Sequence, residues 1–387
     1  MPFLTEGASL PASDQTQLRG LYRILARETN VSDLLQYLSD EDPQPWNDLI
    51  GFVPTTISRE FKLARVDQRR GIKGTADLVL QDPEDRELLI ELKLGHSFSQ
   101  DQRERYEAST DGRLLLAGLA ADEALVQAED RWEFLPLAAI LDAWRTSDSP
   151  AAASLATTVS AVIKLWDADV SAVLVPSGSP RRRALDSIRH KFLARVVSRH
   201  IADEVAQRGW ESGAGVTSGG GLAIVQAWAH IRGDEHRCFI AEVRWWEDMG
   251  GGELRLGVDY HLPETRESRA ETWELATDME ADIRIDALRA ALLAHHPALA
   301  QLVVSTGSGR PVTRGDWLTV VELGFRAKDN PDGVKGNRRN HNPGFVGDGT
   351  QRYEAVSPLD FTKASAPDLV ELIDACLKYL CNRLPPG

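Results

Sequence analysis

Five side chains between Gly74 and Tyr106, in GTADLVLQDPEDRELLIELKLGHSFSQDQRERY, have the types and spacing of a small hydrolytic site: Asp77, Glu91, Lys93, Gln102 and Tyr106. Two carboxylates converging from adjacent strands can hold a hard divalent cation such as Mg²⁺, which prefers oxygen ligands and keeps several waters. One of those waters can serve as nucleophile. A lysine beside it can orient or help deprotonate the water and offset charge building on a phosphoryl group. Such parts suit phosphodiester hydrolysis.

The elements that must position these residues can be read from the same stretch. Val79 and Leu80 belong to a β-rich run, Gln81 to Glu87 with its Asp-Pro is turn chemistry, and Leu88 to Leu92 is an apolar run of strand length. Ser99 to Ser109 is expected to be a helix. Strand residues two apart share a face, so Glu91 and Lys93 project together. Gln102 and Tyr106 stand at i and i+4 of the helix, one above the other. Taken alone, an acid-x-lysine on a strand reads as edge-strand solubility, and a loop histidine such as His96 as surface. The ordered joint occurrence is what carries the catalytic reading.

Upstream, residues 12 to 39 show apolar spacings of three and four, read as two helices joined around Glu28-Thr29-Asn30 with Ser32-Asp33 as a cap. A first strand is expected at Phe61 to Val66, followed by the loop RRGIKG. Downstream come strands at Arg113 to Gly118 and Arg131 to Leu135, and helices at Leu137 to Trp144 and Leu155 to Trp166. The segment PSGSP, Pro176 to Pro180, is the expected domain boundary, giving domains 1–178 and 179–387. In the second, a helix over 184–208 precedes strands at Leu222 to His230, Cys238 to Trp245, Leu254 to Tyr260, Thr272 to Ala276, Leu302 to Ser305 and Trp317 to Phe325. A helix at Ala281 to Ala294 interrupts that series, and another, Pro367 to Arg383, closes the chain. The glycine triplets at 219–221 and 250–252 read as turns, since neither precedes a helix as a phosphate cradle requires.

With 387 residues, 42% hydrophobic and 26% charged, there is material for two ordinary domains. The formal charge of −14 is concentrated before Pro180, and it argues against avid, non-specific duplex binding. Only nine of the 44 basic residues are lysines, which makes Lys93 a less casual choice. Three cysteines without CxxC spacing suggest buried thiols rather than disulfides or a zinc site. No apolar run approaches the roughly 18 residues of a spanning helix, and the N-terminal residues lack a signal-peptide pattern, so a cytoplasmic location without membrane partners is expected.

Gly74-Thr-Ala-Asp77, then Glu91-Leu-Lys93, then Gln102-Arg-Glu-Arg-Tyr106 resembles the core of the PD-(D/E)XK nuclease superfamily, in the branch whose following helix carries Gln-xxx-Tyr. Ala76 stands where that signature has proline. The resemblance covers roughly residues 15 to 165 and implies an α/β fold with a restriction-endonuclease-like core, a mixed central sheet flanked by helices. It makes Asp77 and Glu91 metal ligands, Lys93 the catalytic lysine, and Gln102 and Tyr106 residues that line the site. Arg27-Glu28-Thr-Asn30-Val-Ser-Asp33 resembles the motif of bacterial defence-type members, which implies Glu28 as a further metal ligand, with Asp33 the weaker candidate. Gln68 matches a glutamine at the end of the first strand.

The function so implied is that of a Mg²⁺-dependent endonuclease, with Mn²⁺ able to substitute, acting on nucleic acid with DNA favoured, in defence against phage or foreign DNA. The second domain, expected to be α+β, would supply recognition, a sensor or an oligomer contact, leaving open a homo-oligomer and a defence-system partner protein. A rival reading is a catalytically silent nuclease-fold module that binds nucleic acid as a sensor or assembly subunit. A third is a hydrolase of nucleotides. The basic stretches Arg181 to Arg183 and Lys335 to His341 are candidate backbone contacts in either polymer reading.

Overall fold

The computed structural model describes residues 19–62, 75–84, 86–96, 98–126, 131–176, 179–217, 221–260, 265–304, 317–324, 344–347 and 351–384. The short apolar runs of the first half become neighbouring strands of one sheet. They are β1 (Thr56–Lys62), β2 (Thr75–Gln81), β3 (Glu87–Lys93), β4 (Arg113–Gly118) and β5 (Trp132–Pro136), in spatial order β1-β2-β3-β4-β5. The first three pair antiparallel, while β3, β4 and β5 run parallel. A tight turn suffices between β2 and β3, but parallel strands need a crossover, and a helix over Gln100–Glu107 supplies it between β3 and β4.

Ahead of the sheet lie α1 (Arg19–Leu25), α2 (Glu28–Glu41) and α3 (Pro45–Ile50). The break between α1 and α2 falls at Ala26-Arg27, so Glu28 opens a helix rather than sitting in a joint. Asn30 explains the shift, because its side-chain amide donates to the Ile24 carbonyl at 2.8 Å and closes the end of α1. Ser32 is no cap either; its hydroxyl bonds back to the Thr29 carbonyl within the helix. Strand β1 begins earlier than expected, with its register against β2 running from Thr56↔Gln81 to Lys62↔Thr75. Residues 63–66 of the expected strand, Gln68 and the RRGIKG loop lie outside the described residues.

Helix α4 (Gln100–Glu107) is capped by Ser99, whose hydroxyl accepts from the Gln102 amide. Its buried Tyr106 packs with Val79, Leu89, Leu114, Leu116 and Trp132, the apolar residues on one face of the sheet. Leu78, Leu80, Leu88 and Ile90 alternate with these and are wholly buried on the other face. Beyond β5 come α5 (Leu137–Ala143) and the long α6 (Pro150–Leu174). The chain divides into two compact units, Met1–Ala168 and Asp169–Gly387, a divide ahead of the PSGSP segment and inside α6. No helix among the described residues is long and apolar enough to cross a membrane.

The second unit is built on a six-stranded antiparallel sheet. It comprises β6 (Glu211–Val216), β7 (Ala223–Ile231), β8 (Asp234–Trp245), β9 (Gly252–Tyr260), β10 (Gly344–Gly347) and β11 (Gln351–Leu359), in the order β10-β11-β9-β8-β7-β6. Helices α7 (Lys191–Gln207), α8 (Arg266–Asp278), α9 (Ile285–His295), the short α10 (Pro297–Ala300) and α11 (Ala366–Cys381) complete it. Both α7 and α11 lie against the sheet.

Two expected strands are absent. Thr272 to Ala276 belongs to α8, nucleated by Thr265, whose hydroxyl accepts from the Ser268 amide at 3.1 Å. Leu318–Glu322 forms a π-helical turn, held where Arg269 donates to the Val321 carbonyl at 2.8 Å. Leu302 to Ser305 contributes one isolated bridge, Val303↔Leu359.

One face of this sheet carries a buried ionic row. Arg352 bonds Asp259 and Glu242 at 2.5 and 2.9 Å, and Arg255 bonds Glu354 and Glu253 at 2.8 and 2.5 Å. Removing one partner of such a pair leaves a buried charge uncompensated. Arg352→Ala is therefore expected to lower unfolding stability by about 3 kcal/mol, measured by urea denaturation. A loss under about 1 kcal/mol would show that the row contributes little to the fold.

Candidate active site

The regular pairing of β2 with β3 stops at Leu78↔Ile90, one residue short of placing Asp77 opposite Glu91. There the Asp77 carboxylate takes over from the backbone ladder, accepting from the Leu92 amide at 2.8 Å. Two acids side by side on neighbouring strands repel. Burial and the Glu91 charge, with a smaller contribution from Glu28, push the Asp77 carboxyl up to about 7.

Glu91 is 3% exposed, and it is surrounded by donors. Lys93, on the same face of β3, reaches Glu91 Oε1 at 2.5 Å. From α4, Gln102 Nε2 donates to the same oxygen and the Tyr106 hydroxyl bonds Oε2. Tyr106 also bonds the Thr75 carbonyl at 2.8 Å, which ties α4 to the start of β2. Burial and the neighbouring Glu91 charge raise the phenol well above its ordinary pKa, so it stays a proton donor. Lys93 Nζ also lies 5.9 Å from the Phe98 ring centroid.

Glu28 arrives from the first turn of α2. Its Oε1 accepts from the Leu94 amide at 2.7 Å and faces His96 Nδ1 at 3.0 Å. Gly95 makes this approach feasible by taking φ 84°, a left-handed turn that costs glycine little. Burial works to raise the Glu28 carboxyl, but His96, Lys93 and the Leu94 amide outweigh it and hold the pKa below the ordinary value.

All six residues singled out in the sequence, Glu28, Asp77, Glu91, Lys93, Gln102 and Tyr106, thus share one electrostatic neighbourhood. Asp33 does not join them; it pairs with Arg59 at 2.6 Å. His96 is exposed, as a loop histidine was expected to be, and is also the partner of Glu28. Its place three residues after Lys93 and directly after a glycine is the signal that could have marked it. Arg182 and Arg183 are paired with Asp368 and Asp169, and Lys335 to His341 lies outside the described residues. Of Trp245, Trp246 and Trp317, which fall in apolar runs of the second half, Trp245 is buried and the other two are exposed.

Among the described residues no three His, Cys, Asp or Glu side chains converge as a finished coordination shell. The donor set nevertheless fits a hard cation, with three carboxylates against one lysine and the proton affinity of Asp77 raised by burial and by the charges of Glu91 and Glu28. Each carboxylate oxygen has two lone pairs, so the hydrogen bonds on Glu91 leave it acceptor capacity. Comparison of the chain with family models, curated proteins and solved structures finds no match.

The raised Asp77 carboxyl has a pH signature in metal-free buffer. An unfolded aspartate titrates near 3.8, so between there and about 7 the folded chain holds the extra proton. Stability therefore falls as pH rises through that window, and the full penalty is present above it. Asp77→Asn keeps the acceptor for Leu92 and removes the charge. With EDTA present the variant is expected to be more stable than the parent at pH 8 by roughly 2 kcal/mol, discounted for partial exposure. At pH 5, inside the window, the difference should be about half as large, and it should vanish only below about pH 3.8, as read by urea denaturation across that range.

Proposed function

We propose that the first unit is a Mg²⁺-dependent nuclease of restriction-endonuclease-like fold that hydrolyses phosphodiester bonds, DNA being the favoured substrate. The observation that carries this reading is the buried Glu91, flanked by Asp77 from β2 and held by Lys93, Gln102 and Tyr106. A mixed sheet with Asp77 and Glu91 on adjacent strands, and α4 crossing from β3 to parallel β4, is the arrangement that the sequence resemblance calls for.

Asp77, Glu91 and Glu28 would hold the metal. When bound it supplies a Lewis acid for the scissile phosphate and a water of lowered pKa. Lys93 places a positive charge at the strand end, where it can orient the attacking water and offset phosphoryl charge. Gln102 and Tyr106 fix the Glu91 carboxylate from the helix, and His96 steadies Glu28. A role in defence against foreign DNA rests on the resemblance alone.

Purified protein with Mg²⁺ or Mn²⁺ is expected to cut DNA. Asp77→Ala, Glu91→Ala and Lys93→Ala should each reduce the rate by about 10²-fold or more, with circular dichroism unchanged. Mg²⁺ should raise the melting temperature of the parent and not of Asp77→Ala. No cleavage of single- or double-stranded DNA or RNA, with nucleic acid bound all the same, would favour the silent binding module. Hydrolysis confined to free nucleotides would favour a nucleotide hydrolase.

A further inference from the structure

The parallel strands β3 and β4 have a second end, away from Lys93, where Glu87 and Arg113 begin them. A cleft of about 790 Å³ opens there, within the size range of small-ligand sites. Phe52, Arg86, Thr110, Asp111, Arg113 and Arg131 contribute to its walls.

The three arginines are held in different ways. Arg113 is structural, bonded to both oxygens of Glu133 at 2.8 and 2.7 Å and to the Ile50 carbonyl at 2.6 Å. Arg86 sits over the Phe52 ring, 5.4 Å from its centroid, with Asp82 and Glu84 at its edge. Arg131 is bound only through main-chain carbonyls, those of Glu107, Thr110 and Gly112, at 2.9, 3.0 and 3.1 Å. It has no carboxylate partner among the described residues, so its guanidinium is fixed in place and its charge unmatched. At Gly112 an added Cβ would fall 2.5 Å from the Glu87 carbonyl, so the floor of the cleft is backbone in close approach.

We propose that this cleft binds a small phosphorylated ligand with a flat ring, of the nucleoside monophosphate class. A guanidinium already oriented by carbonyls loses little freedom on meeting a phosphate, and Arg131 keeps its Nε–H and the second Nη1–H as charge-assisted donors. Arg86, half exposed and backed by Phe52, provides a plane on which a base can stack. Asp111, exposed at the rim, opposes a phosphate and tempers its affinity. Strand β3 puts about 20 Å between this cleft and Lys93 at ~3.3 Å per residue, too far for one nucleotide to touch both. The site is thus independent of the nuclease reading.

The test is isothermal titration of the full chain in EDTA with adenosine monophosphate, inorganic phosphate and adenosine. The monophosphate is expected to bind more tightly than either fragment. Arg131→Ala should weaken monophosphate and phosphate by about tenfold, and Arg86→Ala should weaken the monophosphate while sparing phosphate. Asp111→Asn, which changes one exposed carboxylate, should tighten both severalfold and decides the matter even if Arg131→Ala fails to fold. Lys93→Ala should leave binding unchanged. Absence of monophosphate binding, indifference to Asp111→Asn, or loss of binding in Lys93→Ala would each overturn the proposal.

Discussion

Burying the Glu91 carboxylate beside Asp77 is the constraint on which the first unit depends. An isolated ionised carboxylate out of water costs several kcal/mol, so the charge must be met by donors on every side. Lys93 meets it because a strand repeats its face every second residue. Gln102 and Tyr106 meet it because a helix repeats its face every fourth, and because Trp132 packs edge-on against Tyr106 with centroids 5.4 Å apart. The serine cap, the parallel placement of β4 and the apolar residues beneath α4 all follow from delivering those two side chains to one carboxylate.

The acid pair is not fully compensated by this arrangement. Lys93 gives one positive charge to three carboxylates, and burial together with the Glu91 and Glu28 charges raises the proton affinity of Asp77. Glu28 escapes the same fate through a local device: the left-handed Gly95 turns the chain so that the Leu94 amide and His96 both face its carboxylate. Two acids in one neighbourhood are thereby driven in opposite directions, one towards the proton and one away from it. Such divergence is typical of sites with a catalytic or ligand-binding task.

Much of this was legible in the sequence because it is local. The β2-turn-β3 hairpin, the helix carrying Gln102 and Tyr106, and the shared face of Glu91 and Lys93 follow from period and turn chemistry within thirty-odd residues. What escaped depends on partners far along the chain. The link between Glu28 and His96 spans 68 positions, and the glycine before His96 marks a turn without naming the partner that the turn brings close. Strand β11 was missed because its alternate residues Arg352 and Glu354 make it read as a polar loop, whereas they face charged residues of neighbouring strands. Thr272 to Ala276 differs for the opposite reason: the β-favouring Thr272 and Trp273 are outweighed by the helix formers after them and by a cap seven positions upstream.

The two units bury charge in different proportions. In the second, Glu242 is entirely buried, yet Arg352 and Arg244 overcome the penalty of burial and hold its carboxyl down to about 2. In that row three arginines meet four carboxylates: Glu242 is answered twice over, while burial pushes the Glu354 carboxyl up despite Arg255 and Arg352 beside it. In the first unit the imbalance persists, because the residues around Asp77 supply too few cations for the carboxylates they bring together. A fold can tolerate such a deficit where a bound cation or substrate will share in relieving it. The proposed chemistry is accordingly placed at the acid-rich end of β2 and β3, and the buried row of the second unit ties β8, β9 and β11 together.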